Sequence, residues 1–144
     1  RRRTSIQARE AVSLFEQATP EPLPGPEPDL VVSANCLSQL GLIHAHAVPA
    51  AKATPGLAEQ CARTAARCHL RWMAQRAGIR VLIGDTACLD IAPDGKVLRR
   101  QDWLKHLPLR SPDRVWRWNL APIPEWSPDF HRVHEVGAWV DGAR

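Results

Sequence analysis

An α/β fold with a mainly parallel sheet and an antiparallel last strand is predicted for this chain of 144 residues. Three observations predict it. The near-continuous apolar runs at residues 29–34 (DLVVSA) and 79–83 (IRVLI) are typical of strands buried on both faces of a sheet. Residues 55–77 between them have the pattern of one long helix. Two alternating segments, 114–120 and 133–140, have no helix between them, so we expect them to pair antiparallel.

The amino-terminal part is predicted to contain a short strand and a stiff connector. Residues 11–15 (AVSLF) alternate enough for a strand, with Glu16 and Gln17 at its carboxyl end. Prolines then occupy every second position of the run TPEPLPGPEP at residues 19–28. Locked φ angles and missing N–H groups exclude both a helix and a sheet ladder there, which predicts a proline-rich connector.

The long helix is predicted from its ends and from its apolar stripe. Thr54 is a suitable N-cap, Pro55 suits the first helical position and Gly78 ends the helix. The stripe has helical spacing and consists of Leu57, Cys61, Ala65, Cys68 and Trp72. The opposite face carries arginines and glutamines, and we interpret it as solvated.

Four further features are predicted in the second half of the chain. The strand at 79–83 leads into Gly84 and Asp85, and residues 93–95 (PDG) form a turn. Residues 101–106 are predicted as a short helix. A proline-rich excursion at 122–128 separates the last two strands.

Composition excludes several classes of protein. No apolar run is long enough to span a bilayer. The net charge of +4 is a mild excess without a long basic run, so nucleic-acid binding is not favoured. The four cysteines form no CxxC pair and follow no secretory signal, which predicts a cytoplasmic protein. No GxGxxG loop occurs, so no dinucleotide-binding loop is predicted. The run HRVHE at 131–135 has His131, His134 and Glu135 in an order that does not match a zinc peptidase, so no metal site is predicted.

Five segments carry a resemblance to a known family: the run DLVVSANCLSQL (29–40), the long helix, IRVLIGD, RVWRWNL and VHEVGAWV. Together they resemble the second half of a class I S-adenosylmethionine-dependent methyltransferase. The resemblance implies a Rossmann-like sheet in the order 3-2-1-4-5-7-6, with strand 7 antiparallel. Residues 11–15 are similar to strand 3, 29–34 to strand 4 and 79–83 to strand 5, and the last two segments are similar to strands 6 and 7. We therefore expect residues 1–144 to be a single α/β domain that forms the C-terminal part of a larger methyltransferase-like domain.

The resemblance implies S-adenosylmethionine as cofactor and a set of site residues. The cofactor-binding residues implied are Glu16 and Gln17 at the adenine, and Ser33, Ala34 and Asn35 at the methionine end. Asn35 is also the implied catalytic residue, orienting the methyl acceptor, and Asp85 lines the substrate pocket. A turn role for Asn35 and a capping role for Asp85 are the alternatives. The glycine-rich loop and the ribose-binding acid of the family have no counterpart here, so we expect the chain alone to bind the cofactor weakly.

Two functions are compatible with these features. The first is methyl transfer to an acceptor that the sequence does not identify. The alternative is a non-catalytic methyltransferase-like module for interaction or assembly. In both, the strand at 29–34 has an open edge that can pair with a partner or a second copy of the chain.

Overall fold

A computed structural model of the chain describes residues 13, 16–17, 25–40 and 56–142. Its main elements are β1 (Leu30–Ala34), α1 (Leu57–Ala74), β2 (Ile79–Ile91), β3 (Val97–Asp102), β4 (Arg114–Ala121) and β5 (His131–Asp141). Residues 36–40, directly after β1, are also helical. Within these described ranges, no helix is both long and apolar enough to cross a membrane.

The described strands form one open sheet in the order β1-β2-β5-β4. β1 pairs in parallel with the first part of β2, from Leu30 opposite Ile79 to Ala34 opposite Ile83. β5 pairs antiparallel with β2 along nearly its whole length, and β4 pairs antiparallel with β5. β3 pairs antiparallel with residues 87–91 of β2, beyond the point where β1 ends. Since β5 occupies the other side of β2, β1 and β3 follow one another along the same edge.

The α/β class and the antiparallel last strand are confirmed, but a mainly parallel sheet is not observed. Among the described strands only the β1–β2 pairing is parallel. The reason is the position of β5, which lies between β2 and β4, so that one reversed strand makes two pairings antiparallel. In addition, β2 continues past the predicted end at residue 83 and forms a hairpin with β3 through the predicted turn at 93–95.

Two predicted elements are wrong where the structure describes them. Ser13 is helical, not extended, and so are Glu16 and Gln17, which were placed at a strand end. The Gln17 amide donates to Ser13 Oγ at 2.8 Å, a contact across one helical turn. The short helix predicted at 101–106 is also absent, since β3 includes residues 101–102 and turns follow. The period-2 or period-3.6 pattern in such short runs is too brief to distinguish a strand from a helix.

The long helix is shorter than predicted at both ends. It begins at Leu57 after Gly56, an N-cap with a φ of 84° and no side-chain cap hydrogen bond, and it ends at Ala74. The proposed cap at Thr54 and Pro55 and residues 19–24 of the connector lie outside the described residues. Residues 25–28 of the connector are neither helix nor strand, as predicted.

The core lies between α1 and one face of the sheet. Leu82 of β2, Trp139 of β5 and Met73 of α1 form a buried cluster with Leu37 and Ala66. Leu82 and Trp139 are paired across the two strands, so they project from the same face. Burying such side chains against a helix is the main source of stability for a one-helix layer on a sheet.

The face of the sheet opposite α1 is apolar and exposed in the region where β1 pairs with the start of β2 and where β5 ends. Leu30, Val32, Ile79 and Val140 are between 44% and 54% exposed. The strand register places them side by side, because Leu30 lies opposite Ile79, and Val32 and Val140 both lie opposite Val81. We call these four residues the outer apolar patch. A contiguous exposed apolar surface usually marks a place where another element or molecule binds.

A hydrogen bond joins α1 to β1 inside the molecule. Ser33 Oγ lies 2.7 Å from His69 Nε2, and Ser33 is buried. Burial lowers the pKa of His69 below its ordinary value of 6.5, because desolvation disfavours the charged ring. The ring therefore stays neutral in the folded chain at a pH where the unfolded chain already binds a proton.

The neutral His69 predicts acid sensitivity. As the pH falls through 6.5, the unfolded state takes up more protons than the folded state, so the free energy of unfolding decreases. We expect a lower urea midpoint at pH 5 than at pH 7.5, and a smaller difference in His69→Gln. His106→Gln, at an exposed position, is the control. An unchanged pH dependence in His69→Gln would contradict this role.

Candidate functional site

The candidate site begins where β1 ends. Asn35 follows Ala34 directly and has a φ of 55°, a left-handed conformation that asparagine tolerates better than most residues. Its N–H donates to the carbonyl of Ile83 at 2.8 Å, which ties the turn to β2. Its side-chain Oδ1 is buried and accepts no hydrogen bond from the described residues. Both readings of Asn35 therefore have support: it makes the turn, and it presents an unused acceptor.

Asp85 provides a second buried oxygen, that of a carboxylate, close to this turn. It lies in β2, two residues after Ile83, and is only 8% exposed. Ser38, in the helical segment after β1, donates its hydroxyl to Asp85 Oδ2 at 3.4 Å. Asp85 Oδ1 accepts no hydrogen bond, although His134 Nδ1 lies 3.3 Å from it. The distance suits an ion pair with a protonated ring, but the angle is not that of a hydrogen bond.

His134 belongs to β5 and reaches Asp85 across the sheet. The register aligns His134 with Cys88 of β2 and with Trp118 of β4. The ring of Trp103 meets the His134 ring edge to face, with 4.9 Å between centroids. Trp103 is held there by its backbone N–H, which donates to the backbone carbonyl of Thr86 at 2.9 Å. The imidazole is thus fixed between a carboxylate and an indole. We call Asn35, Ser38, Asp85 and His134 the β1-end cluster.

This arrangement offers two kinds of chemistry. The free oxygens of Asn35 and Asp85 can accept hydrogen bonds from an ammonium, amide or hydroxyl group of a ligand. The imidazole of His134, beside the Asp85 carboxylate, is a second polar group that a ligand can contact. The described residues contain no group of three His, Cys, Asp or Glu side chains placed to hold a metal ion.

The structure brings together only part of the predicted site. Asn35 and Asp85 lie close in the fold, because Asn35 is bonded to Ile83 and Ser38 contacts Asp85. Ala34 is the exposed last residue of β1 beside them. The Ser33 hydroxyl is directed beneath α1 to His69 and does not face this cluster.

Glu16 and Gln17 lie elsewhere. The backbone carbonyl of Glu16 accepts a hydrogen bond from Arg71 at 3.4 Å. Arg71 is in the last turn of α1, which ends just before β2 begins. The two residues are therefore near the amino end of β2, whereas Asn35 and Asp85 follow the carboxyl end of β1.

Sequence reasoning missed His134 and Trp103. His134 was considered only within the sequence HRVHE, whose order does not match a zinc peptidase. Its partner Asp85 is 49 positions away in the chain, and only the register of β2 and β5 brings the two together. The one local signal was the alternation of residues 133–140, which predicts a strand but not its neighbours.

Comparisons with protein-family models, with curated proteins and with solved structures gave no match for this chain.

Proposed function

We propose that the chain supplies the acceptor-side half of an S-adenosylmethionine-dependent methyltransferase. The observation that supports this most is the order and direction of the strands. β1-β2-β5-β4, with β5 reversed, corresponds to strands 4-5-7-6 of the family that the sequence resembles. The correspondence extends to the long α1 connection between the two parallel strands. Similarity of fold alone does not establish an activity, so the residues of the site must also fit the cofactor.

The β1-end cluster fits one end of this cofactor. Ligands of open α/β sheets bind beyond the carboxyl ends of the strands; Asn35 follows that end of β1, and Asp85 lies within β2 near the same point. The buried Asn35 Oδ1, which has no hydrogen-bond partner among the described residues, and the Asp85 carboxylate together suit the ammonium group of the methionine moiety. The adenine and ribose have no comparable partners among these residues. The fit therefore covers the methionine end and the acceptor side of the site.

The proposed methyl transfer requires little chemistry from the side chains of this protein. When bound, the sulfonium supplies both the electrophilic methyl group and its leaving group. Asn35 Oδ1 and Asp85 Oδ1 would orient donors of the bound molecules, which contributes through alignment. His134 Nε2 would accept the proton that an acceptor hydroxyl or amine loses, while Asp85 stabilises the resulting imidazolium.

Cofactor binding tests the proposal. S-adenosylmethionine is titrated calorimetrically into the polypeptide of the intact reading frame that contains these residues, and into the 144 residues alone. We expect a micromolar dissociation constant for the first and binding weaker by about 100-fold or more, a difference of about 2.8 kcal/mol, for the second. Failure of the longer polypeptide to bind would reject the proposal. Micromolar binding by the 144 residues would contradict the half-site interpretation.

A variant at Asn35 identifies the site. Asn35→Gly keeps the left-handed turn, because glycine adopts a φ of 55° freely, but it removes the amide oxygen. We expect binding by the longer polypeptide to weaken by about tenfold, the equivalent of one hydrogen bond. Asn119→Gly, at an exposed position of β4, is the matched control and should bind normally. Equal affinities of the two variants would remove Asn35 from the site.

The alternative function, a non-catalytic assembly module, is favoured by a different observation. The outer apolar patch lies next to the outer edge of β1, which has no partner among the described strands. A second copy or another chain could complete the sheet there. The module would be supported if the 144 residues sediment as a stable dimer and Val32→Lys abolishes that dimer. The longer polypeptide should then show no cofactor binding. A monomer that binds cofactor only in the longer polypeptide would exclude it.

A further inference from the structure

A large pocket lies at the opposite end of the sheet from the β1-end cluster. Its volume is about 910 Å³, and it is formed by α1, the segment around Leu109 and the ends of β2 and β5 that carry Arg80 and Asp141. No residue of the β1-end cluster lines it. The volume is at the upper end of the range found for pockets that bind small molecules.

The floor of the pocket is apolar. It consists of Leu70, Met73, Leu82, Leu109 and Trp139. Trp139 is almost fully buried, and its indole N–H donates to the carbonyl of Arg110 at 2.7 Å. The polar atom of the largest floor residue is therefore already satisfied, and the floor suits the hydrocarbon part of a ligand.

The rim carries three arginines that form no ion pair with the described acidic residues. Arg67, Arg71 and Arg80 donate to the backbone carbonyls of His106, Glu16 and Arg76, at 3.5, 3.4 and 2.7 Å. None of the three is within ion-pair distance of a carboxylate in the described part of the chain. A guanidinium that contacts only carbonyl groups retains its full charge for a ligand.

Arg110, a fourth arginine of the lining, differs from these three. It forms ion pairs with Asp113 at 2.7 Å and with Asp141 at 3.4 Å. Its hydrogen bonds lower the pKa of Asp113 to about 2, with a further contribution from the N–H of Val140. Its charge is thus already balanced. Even when the acids Glu16 and Asp141 are counted, the lining has an excess of positive charge.

We propose that this pocket binds a small amphipathic carboxylate, with its apolar part on the floor and its carboxylate between Arg71 and Arg80. Carboxylates match the planar, forked donors of arginine, which makes charge-assisted contacts specific as well as attractive. A neutral molecule of the same shape would gain the apolar contacts but would leave the three guanidinium groups unpaired. The site is independent of the proposed methyl transfer, because the two share no residue.

Calorimetric titration with octanoate and with 1-octanol, on the 144-residue chain at pH 7.5, tests this proposal. We expect octanoate to bind at least tenfold more tightly than octanol. The double variant Arg71→Gln with Arg80→Gln should bring the two affinities within about twofold of each other. Arg63→Gln is the matched control, because Arg63 is on the same helix, pairs with Glu59 and does not line the pocket. The Arg63→Gln variant should keep the full preference for octanoate over octanol.

Three outcomes would overturn the proposal: no binding of octanoate, equal binding of octanoate and octanol by the unmodified chain, or a preference that persists in the double variant. Because Arg80 is partly buried, circular dichroism of each variant checks the fold. Arg71→Gln alone, at an exposed position, is the second variant and should reduce the preference at least threefold. An unchanged preference in Arg71→Gln would also count against the site.

Discussion

Replacing Gly78 with alanine is expected to destabilise the fold by about 3 kcal/mol or more, at the upper end of the range for overpacked positions. A methyl group at this position would overlap the backbone carbonyl oxygens of Pro28 and Asp29. These atoms cannot rotate away as a side chain could. They also adjoin the hydrogen bond from the Ile79 N–H to the Asp29 carbonyl, 2.8 Å long, with which the parallel pairing begins. The expected loss is a large fraction of the stability of an ordinary domain.

Urea denaturation followed by circular dichroism measures this effect. Gly84→Ala is the matched control, because Gly84 is also in this part of the chain, yet a methyl group there would meet no atom within 4 Å. We expect its midpoint to stay close to that of the unmodified chain. If the two variants were equally stable, the close approach of residues 28–29 to Gly78 would be contradicted, and with it the position of β1 beside β2.

Truncation of Trp139 to alanine is expected to cost about 3–5 kcal/mol. Trp139 is 4% exposed and contacts the cluster that holds α1 against the sheet. The change removes this contact, leaves a cavity and deprives the Arg110 carbonyl of the indole N–H. It acts on the packing between the helix and the sheet, so both far-ultraviolet and near-ultraviolet dichroism should report the same lowered midpoint.

Two further variants separate the contributions of Trp139. Trp139→Phe keeps an aromatic ring but loses the N–H donor, so we expect it to cost about 1–3 kcal/mol, less than the alanine variant. Trp126→Ala is the control, because Trp126 is 63% exposed and its contact is with Arg132, whose guanidinium lies 4.3 Å from the ring centroid. A loss in Trp126→Ala as large as that in Trp139→Ala would show that burial does not explain the effect.

Most strands and the long helix could be predicted because their signals are local. The segments 79–83, 114–120 and 133–140 each lie within strands of the structure, and β1 covers the apolar run at 29–34 except for its first residue. The predicted turn at 93–95 is the turn of the β2–β3 hairpin. Where the runs were short, as at Ser13 and at residues 101–106, the local pattern did not distinguish helix from strand.

The candidate site was less predictable than the elements that carry it. Asn35 and Asp85 were implied as site residues by the family resemblance, which places each of them after an apolar strand. His134 was not identified, since a histidine on an alternating strand has no local feature that reveals an acid across the sheet. Register shifts in the strand pairings, such as those between Asp85 and Ala87 and between Asn119 and Ala121, also change which residues face one another.

The surroundings of the α1 arginines also could not be predicted from neighbouring residues in the sequence. The face that carries Arg67 and Arg71 was interpreted as solvated, and both residues are indeed exposed. Their position beside an apolar pocket depends on Leu109 and Trp139, which come from distant parts of the chain.

The sequence by itself determined that this is an α/β protein, where most of its strands and its long helix lie, and which turns follow β1 and β2. Only the tertiary structure decided that β2 extends to residue 91 and pairs with β3, that His134 meets Asp85, and that Leu30, Val32, Ile79 and Val140 form an exposed apolar patch. The physical reason is that periodicity, proline and glycine act on neighbouring residues, whereas strand order and register depend on contacts between residues far apart in the chain.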